Sequence, residues 1–305
     1  MSLSISVLSI ARTIASSVLL SAGVALGCAA AAAYPPQVAQ LTAAGITVHP
    51  TAGGWEVEVK SPDLMTEATC RALGTLPDLR AFSSGGERFG DAEFARLAKI
   101  TSLRRIFLNG CAVTDAGLAA AATLPELQYL GFHHSQTLTG SGLSAFTGCA
   151  NLTSIEFGGC IIGDDGVAVI ARLKQLKELR LGHVRITRAS FPLIAGLEHL
   201  ERLEITPNWD PQAYTAHNFA AFSRMKALHE IEIHDMVLPY EDGLAHLAAI
   251  ASLTKLKLYW AYVGAADQKA FATKRPDVAL DVQYPAGEDK LAQFEKRVAE
   301  LKSGK

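Results

Sequence analysis

The sequence predicts an α/β solenoid, in which short parallel strands line one side of a curved stack and helices line the other. Three observations predict this fold class. A unit of about 24 residues recurs along most of the 305-residue chain, each unit opens with alternating apolar residues, and each continues into a helix-like run. A unit of one strand and one helix buries a continuous core only by stacking on the next unit.

The repeat appears as a series of units that each begin with leucine. Within a unit the pattern is L-x-x-L-x-L, with Ile or Phe substituting, as in Leu103, Ile106 and Leu108. The last two apolar positions alternate, which is the period of a strand with one buried face. The units begin at Leu79, Leu103, Leu127, Leu152, Leu176, Leu200, Leu228 and Leu253.

A helix-like run follows the strand, as in DAGLAAAATL and DDGVAVIARL. Asp115 and Asp164 or Asp165 suit helix N-caps, because a short carboxylate accepts hydrogen bonds from unpaired backbone N–H groups. The segment 114–118 reads T-D-x-G-L. With these motifs, residues 79–280 resemble the leucine-rich repeat family, in the form found in exported bacterial proteins. The resemblance implies a parallel sheet on the concave side and helices on the convex side.

Residues 1–33 predict export. One positive charge, Arg12, precedes an apolar run, and the small residues 31–33 fit the rule for cleavage of a signal peptide. We expect a signal peptide, or a lipoprotein signal ending before Cys28. The protein is then periplasmic, secreted or a cell-surface lipoprotein. A permanent membrane anchor is the alternative, because the run from Ile14 to Ala33 is long enough to cross a bilayer.

The rest of the chain divides into three predicted segments. Residues 34–78 form an N-terminal cap or degenerate repeat, with a strand at 55–59 and a helix from about Thr66 to Leu76. Residues 79–284 form a solenoid of about eight repeats, ending in a strand at 278–282.

Residues 285–305 are predicted to form a helical cap or tail. Four apolar residues of this segment share one helical stripe, which predicts that the helix covers the open end of the stack; dimerisation is the alternative. The stripe consists of Leu291, Phe294, Val298 and Leu301.

Composition excludes several classes of function. Lys+Arg 28 against Asp+Glu 30 gives a net charge of −2, which argues against a nucleic-acid binder because such proteins carry a basic excess. The segment 229–234 has one residue too many for the H-E-x-x-H zinc motif and lies on a predicted strand. We expect no catalytic site, no cofactor and no metal, and therefore a protein that is not an enzyme.

The outward positions of the strands, the x residues of L-x-x-L-x-L-x-x, are the predicted binding surface, and we call them the strand face. Exposed aromatic and Arg side chains are enriched among the residues that dominate protein interfaces. We expect a monomer that binds a protein or peptide partner here and that contacts membrane only through a lipid on Cys28. The candidate partner-binding residues are Arg105, Phe107, Tyr129, His133, Arg180, Tyr259 and Trp260, with Trp209 at the rim.

Two other interpretations of the strand face stay open. A carbohydrate or other cell-surface ligand could stack on Tyr129, Tyr259 and Trp260. Glu156, Arg180 and Glu204 alternate in sign on neighbouring strands, so this part of the face could instead be a solvated surface whose charges satisfy one another.

Overall fold

The computed structural model describes residues 34–206 and 214–284, with isolated positions between 292 and 303. The predicted signal segment 1–33 with Cys28, the candidate rim residue Trp209 and the apolar stripe of the C-terminal segment lie outside the described residues. Among the helices that are described, none has both the length and the apolar character needed to cross a membrane.

The strands of the described residues form one sheet whose spatial order follows the chain, from β1 to β11. Strands β2 to β11 are parallel, and each of β3 to β10 pairs with the strand of the preceding and the following unit. The strands are β1 (Thr47–Thr51), β2 (Gly54–Val59), β3 (Leu79–Gly85), β4 (Arg105–Asn109), β5 (Tyr129–His133), β6 (Ser154–Gly158), β7 (Glu178–Gly182), β8 (Arg202–Thr206), β9 (Glu230–His234), β10 (Lys255–Tyr259) and β11 (Ala279–Gln283).

Short helices connect successive strands, because a unit of about 24 residues leaves room for only a few helical turns. Several are 3₁₀ helices, whose larger rise per residue suits short connections. The α-helices are Pro36–Ala43, Glu67–Thr75, Asp91–Leu97, Asp115–Leu118, Asp164–Ile170, Ser190–Ala195, Ala245–Ala248 and Ala265–Lys274. The 3₁₀ helices are Pro62–Leu64, Ala119–Thr123, Ser141–Gly148 and Ala216–Arg224, and a π-helical turn spans Tyr240–Leu244.

The N-terminal region differs from a degenerate repeat by one extra strand. Strand β1 pairs antiparallel with β2 and so forms a hairpin at the start of the sheet. The sequence did not indicate β1, because it contains Pro50 and none of its side chains is fully buried. An edge strand tolerates proline, which has no N–H to donate to a neighbouring strand.

The core lies between the sheet and the helices and runs through all units as one cluster. From β4 to β10 the second and fourth residues of each strand are buried, as the L-x-x-L-x-L pattern predicts. Ten phenylalanines with less than 2% exposure belong to this core: Phe82, Phe89, Phe94, Phe132, Phe146, Phe157, Phe191, Phe219, Phe222 and Phe271.

Four aromatic rings from neighbouring units form one cluster, here called the phenylalanine cluster: Phe191, Tyr214, Phe219 and Phe222. The Phe191 ring centroid lies 5.0 Å from that of Tyr214, 5.7 Å from Phe219 and 5.5 Å from Phe222. Aromatic pairs at such distances add to the stability that area burial provides. The cluster therefore fastens the helix at Ser190–Ala195 to the helix at Ala216–Arg224.

The aspartates expected to cap their own helices instead bind the next unit. Thr114 is the N-cap of its helix, and its hydroxyl accepts from the Gly117 N–H. The Asp115 carboxylate accepts from the Thr139 N–H and hydroxyl at 3.0 and 2.7 Å, and from the N–H groups of Gly140 and Gly142 at 3.0 and 3.1 Å. The prediction that Asp115 is the N-cap was wrong, because Thr114 occupies that position and Asp115 binds the following unit.

Two equivalent aspartates repeat this contact. Asp91 accepts from the Thr114 N–H and hydroxyl, both at 2.7 Å. Asp164 accepts from the Thr187 N–H and hydroxyl at 2.9 and 2.6 Å. Burial raises the pKa of Asp164, but hydrogen bonds from Ser190 and Thr187 outweigh it and hold the pKa below its usual range. These interunit aspartates, Asp91, Asp115 and Asp164, each link their own unit to the following one by hydrogen bonds to a threonine.

Glycines at the positions equivalent to Gly117 of the T-D-x-G-L motif are required by the close approach of the preceding unit. A Cβ atom on Gly142 would lie 2.2 Å from the Asp115 carbonyl oxygen, and one on Gly166 would lie 2.4 Å from the Thr139 carbonyl oxygen. The motif therefore encodes contact between units as well as the start of a helix.

Candidate functional site

The strand register assembles the strand face as the sequence predicts. One column of third-position residues crosses the sheet in continuous register. The column reads Ser83, Phe107, Gly131, Glu156, Arg180, Glu204, Glu232 and Lys257. Each of these residues therefore lies directly beside the next on the surface opposite the helices.

An aromatic group occupies the N-terminal part of the strand face. The Phe107 ring meets the His133 ring edge-on, with centroids 4.9 Å apart. The Arg105 guanidinium lies 4.2 Å from the centroid of the Tyr129 ring, a favourable cation–π distance. A Cβ atom on Gly131 would lie 2.5 Å from the Tyr129 hydroxyl and 2.9 Å from Phe107 Cδ2. Gly131 thus leaves the space into which both rings close.

The sequence-based prediction that Tyr129 is an exposed aromatic was wrong. Its side chain is buried, with 8% exposure, because it lies under Arg105 and over Gly131. A sugar ring cannot stack on it without displacing the Arg105 side chain. The carbohydrate interpretation therefore loses one of its three predicted platforms.

Glu156 binds the candidate residues together. The Tyr129 hydroxyl donates to Glu156 Oε2 at 2.8 Å, and His133 Nε2 lies 2.6 Å from Glu156 Oε1. Burial raises the pKa of Glu156, but the hydrogen bond from His133 and the charges of His133 and Arg180 outweigh it, so the pKa lies below its usual range. Burial and the Glu156 charge raise the pKa of Tyr129, which keeps its hydroxyl protonated as a donor.

Arg180 is the central cation of the face. Its Nε and Nη2 atoms donate to Glu178 Oε1 at 2.9 and 2.8 Å. Glu156 and Glu204 lie farther away, each 3.7 Å from Nη1. The predicted ion pairs of Arg180 with Glu156 and Glu204 on the neighbouring strands are therefore present. The closest partner of Arg180, however, is Glu178, two residues away on the same strand.

The C-terminal part of the face holds a second polar group. His234 Nε2 lies 2.8 Å from Glu232 Oε1, and Lys257 Nζ donates to Glu232 Oε2 at 3.2 Å. Burial and the neighbouring negative charge of Glu232 raise the pKa of Glu204. Ligand atoms of Glu204, Glu232 and His234 lie within 4.8 Å of one another. Lys257 and Arg180 already supply positive charge to these carboxylates, so an added metal ion would compete with both.

Tyr259 and Trp260 lie at the C-terminal end of the same face. The Tyr259 hydroxyl donates to Asp281 Oδ2 at 3.2 Å, and its ring meets the His234 ring edge-on at 5.4 Å. Burial and the charges of Glu232 and Asp281 raise the pKa of Tyr259 to about 12. Trp260 is 40% exposed, which makes it the most accessible aromatic of the candidate set that the structure describes.

The residue after each of strands β4 to β7, β9 and β10 adopts left-handed backbone, with φ between +50° and +63°, as at Gly110 and Gly159. Side chains other than glycine are disfavoured in this conformation. Four units nevertheless place a larger residue there, and we call these residues the rim row: His134, His183, Asp235 and Trp260. Their side chains line the edge of the strand face where the strands end.

Three features therefore recur among the described units. Inward apolar residues recur in every strand from β4 to β10. A left-handed residue follows six of the strands, and an aspartate binds the next unit at three positions. The chain folds as a leucine-rich repeat solenoid. The sequence-based assignment of fold class is confirmed.

Comparison with known proteins finds similarity to solved structures at low sequence identity. No protein-family model matches it, and no curated protein matches it. An internalin, InlF, from Listeria monocytogenes is 18% identical over 71% of this chain and 70% of its own, with a TM-score of 0.43. TLR13, solved in complex with ssRNA13, is 18% identical over 76% of this chain, with a TM-score of 0.45; this chain spans 32% of it.

A further cluster of polar side chains lies on the helix side and was missed by the sequence analysis. His217, Asp242 and His246 bring three ligand atoms within 4.8 Å of one another. The two histidines are 29 residues apart, or about one unit. Aligning the units on their helices, rather than on their strands, would have placed them side by side.

Proposed function

We propose that this leucine-rich repeat protein is an exported, non-enzymatic recognition module that binds a protein or peptide partner on its strand face. The observation that carries the proposal is the rim row. Each non-glycine residue in left-handed backbone costs on the order of 1 kcal/mol, and such strained residues concentrate at functional sites. Residues of four units adopt this strained conformation, and all four lie along the edge of the strand face.

The spacing of the aromatic anchors supports a partner of macromolecular size. Phe107 lies on β4, whereas Tyr259 lies on β10 and Trp260 follows it. Six strand spacings of about 4.8 Å separate β4 from β10, so the anchors are roughly 30 Å apart. A folded protein surface or an extended peptide of about nine residues spans that distance.

The charges between the anchors set the specificity of the face. Glu156, Glu178 and Glu232 already bind cationic side chains of the protein itself. Preorganised charges of this kind need little rearrangement on binding, so they select partners by complementarity more than they add affinity.

Replacing either anchor should weaken partner binding by at least about 2 kcal/mol. We expect this for Phe107→Ala and for Trp260→Gly. Trp260→Gly also relaxes the left-handed backbone, so the melting temperature should not fall. The measurement is affinity capture with the immobilised chain and its variants, quantified by mass spectrometry, followed by titration of the captured partner.

Lys174→Ala is the control, because Lys174 lies on the helix side, where its ammonium donates to the Gly196 carbonyl oxygen at 2.9 Å. It should capture the same partner as the unaltered chain. A partner that is lost with Lys174→Ala but retained by both strand-face variants would assign binding to the helix side and contradict the proposal.

Export predicts a shortened mature chain. We expect its first residue near Tyr34, or at a Cys28 that carries lipid, because residues 1–33 combine one positive charge with an apolar run and small residues. N-terminal sequencing and intact mass of the protein from separated cell fractions distinguish the two. A cytoplasmic product that retains Met1 through Ala33 would rule out export.

A further inference from the structure

The cluster on the helix side contains the right atoms for a transition-metal ion. His217 lies in the first turn of the 3₁₀ helix Ala216–Arg224, and His246 lies in the α-helix of the next unit, Ala245–Ala248. Asp242 lies in the π-helical turn that precedes His246. The three side chains therefore come from two consecutive units and meet at the boundary between them.

The backbone around the cluster is fixed by packing. Ala216 and Phe219 are buried beside His217, and Leu244 and Leu247 are buried beside Asp242 and His246. A ligand set on packed backbone needs little ordering when a metal binds. The side chains themselves are accessible, since those of His217 and Asp242 are 65% and 80% exposed.

The distances fit coordination by two imidazoles. His217 Nδ1 lies 3.1 Å from His246 Nε2, and the rings are nearly perpendicular at 88°. Two nitrogens bound to Zn²⁺ at 2.0–2.1 Å in tetrahedral geometry are about 3.3 Å apart. Asp242 Oδ1 lies 3.8 Å from His217 Nδ1, and a small rotation of this exposed side chain completes a third bond.

We propose that His217, Asp242 and His246 bind one divalent transition-metal ion, Zn²⁺ or a metal of similar preference, that bridges two consecutive units. Two imidazole nitrogens and one carboxylate oxygen favour Zn²⁺, Ni²⁺ or Cu²⁺ over Mg²⁺ and Ca²⁺, which prefer oxygen ligands. Three protein ligands leave one tetrahedral position for water. The site is independent of the partner proposed for the strand face.

The helix-side cluster is the better metal site of the two that the described residues contain. On the strand face, Lys257 and His234 already bind both oxygens of Glu232. In the helix-side cluster no lysine or arginine bonds to Asp242 among the described residues, and its one ion-pair contact there is with His217. A cation at this position therefore gains ligands without displacing a charged side chain.

Calorimetric titration of ZnCl₂ into metal-free protein, with no added histidine tag, tests the site. We expect one Zn²⁺ per chain and a melting temperature that rises with Zn²⁺, because the ion binds the folded state. His217→Ala, His246→Ala and Asp242→Asn should each weaken binding at least about tenfold and remove the thermal shift. Co²⁺ should give the visible absorption of a tetrahedral site, and this absorption should disappear in the double variant His217→Ala/His246→Ala.

His199→Ala is the matched control, because His199 is also exposed and lies outside the cluster; its affinity for Zn²⁺ should be unchanged. His234→Ala tests the strand-face cluster and should also leave binding intact. Absence of stoichiometric binding, or binding that survives in the double variant, overturns the proposal. Loss of binding in His234→Ala alone would move the metal to the strand face and overturn it equally.

Discussion

Phe191→Ala is expected to lower the free energy of unfolding by about 3–5 kcal/mol. Phe191 is 1% exposed, and its ring contacts all other members of the phenylalanine cluster. Alanine leaves a cavity whose walls come from two units, and those walls can close it only if the helices of the two units shift. Chemical denaturation of the full chain, followed by circular dichroism, gives the difference.

Two controls separate the cavity from a general sensitivity to loss of an aromatic ring. Phe191→Leu keeps most of the volume and should cost less than about 1.5 kcal/mol. Phe107→Ala removes the same ring from the half-buried strand face and should cost less than Phe191→Ala. Equal losses for Phe191→Ala and Phe107→Ala would contradict the assignment of Phe191 to the core.

Asp115→Ala is expected to lower the free energy of unfolding by about 2–3 kcal/mol, the second largest effect. The substitution removes the carboxylate that accepts hydrogen bonds from Thr139, Gly140 and Gly142 of the next unit. The N–H groups of Gly140 and Gly142 are partly buried and would lose their hydrogen-bond partner. Asp165→Ala is the matched control, since this exposed carboxylate lies in the first turn of its helix, and its loss should cost less than about 1 kcal/mol.

The contribution of Asp115 should also depend on pH. Burial raises the pKa of Asp115, but hydrogen bonds from Gly142, Thr139 and Gly140 outweigh it and lower the pKa below its usual range. A lowered native pKa stabilises the fold above the unfolded value of about 3.9, and this stability is lost as the pH falls through the native value. The difference in the free energy of unfolding between the unaltered chain and Asp115→Ala should be constant above pH 5 and should shrink below it. A difference that grows on acidification would contradict the hydrogen-bonding role.

The register of the sheet was predictable because each unit carries its own inward leucines. Ile106 and Leu108 alternate with Phe107, so the strand period alone assigns Phe107 to the outward face. The same argument gave the whole third-position column before any contact was known. The alternation of apolar residues within one unit is enough to predict the strand register wherever every unit repeats that alternation.

The environments of the outward residues were less predictable, because they depend on neighbours about one unit away. Tyr129 reads as an exposed aromatic until Gly131 is seen to leave space beneath it. Glu178 was missed as the main partner of Arg180 because only side-chain conformation, and not register, brings the two together. The cluster of His217 and His246 depends on helix placement, which varies between units more than strand placement does.

The order of the strands also bears on how the protein folds. Within residues 34–206 and 214–284, each strand pairs with the strand next to it along the chain, and no strand is inserted between two consecutive ones. Parallel sheets are usually slow to fold, because their pairing closes long loops. Here each pairing closes a loop of about 24 residues, so the relative contact order is roughly 0.1, in the range of helical bundles. We therefore expect the sheet to grow by adding one strand at a time to a folded neighbour.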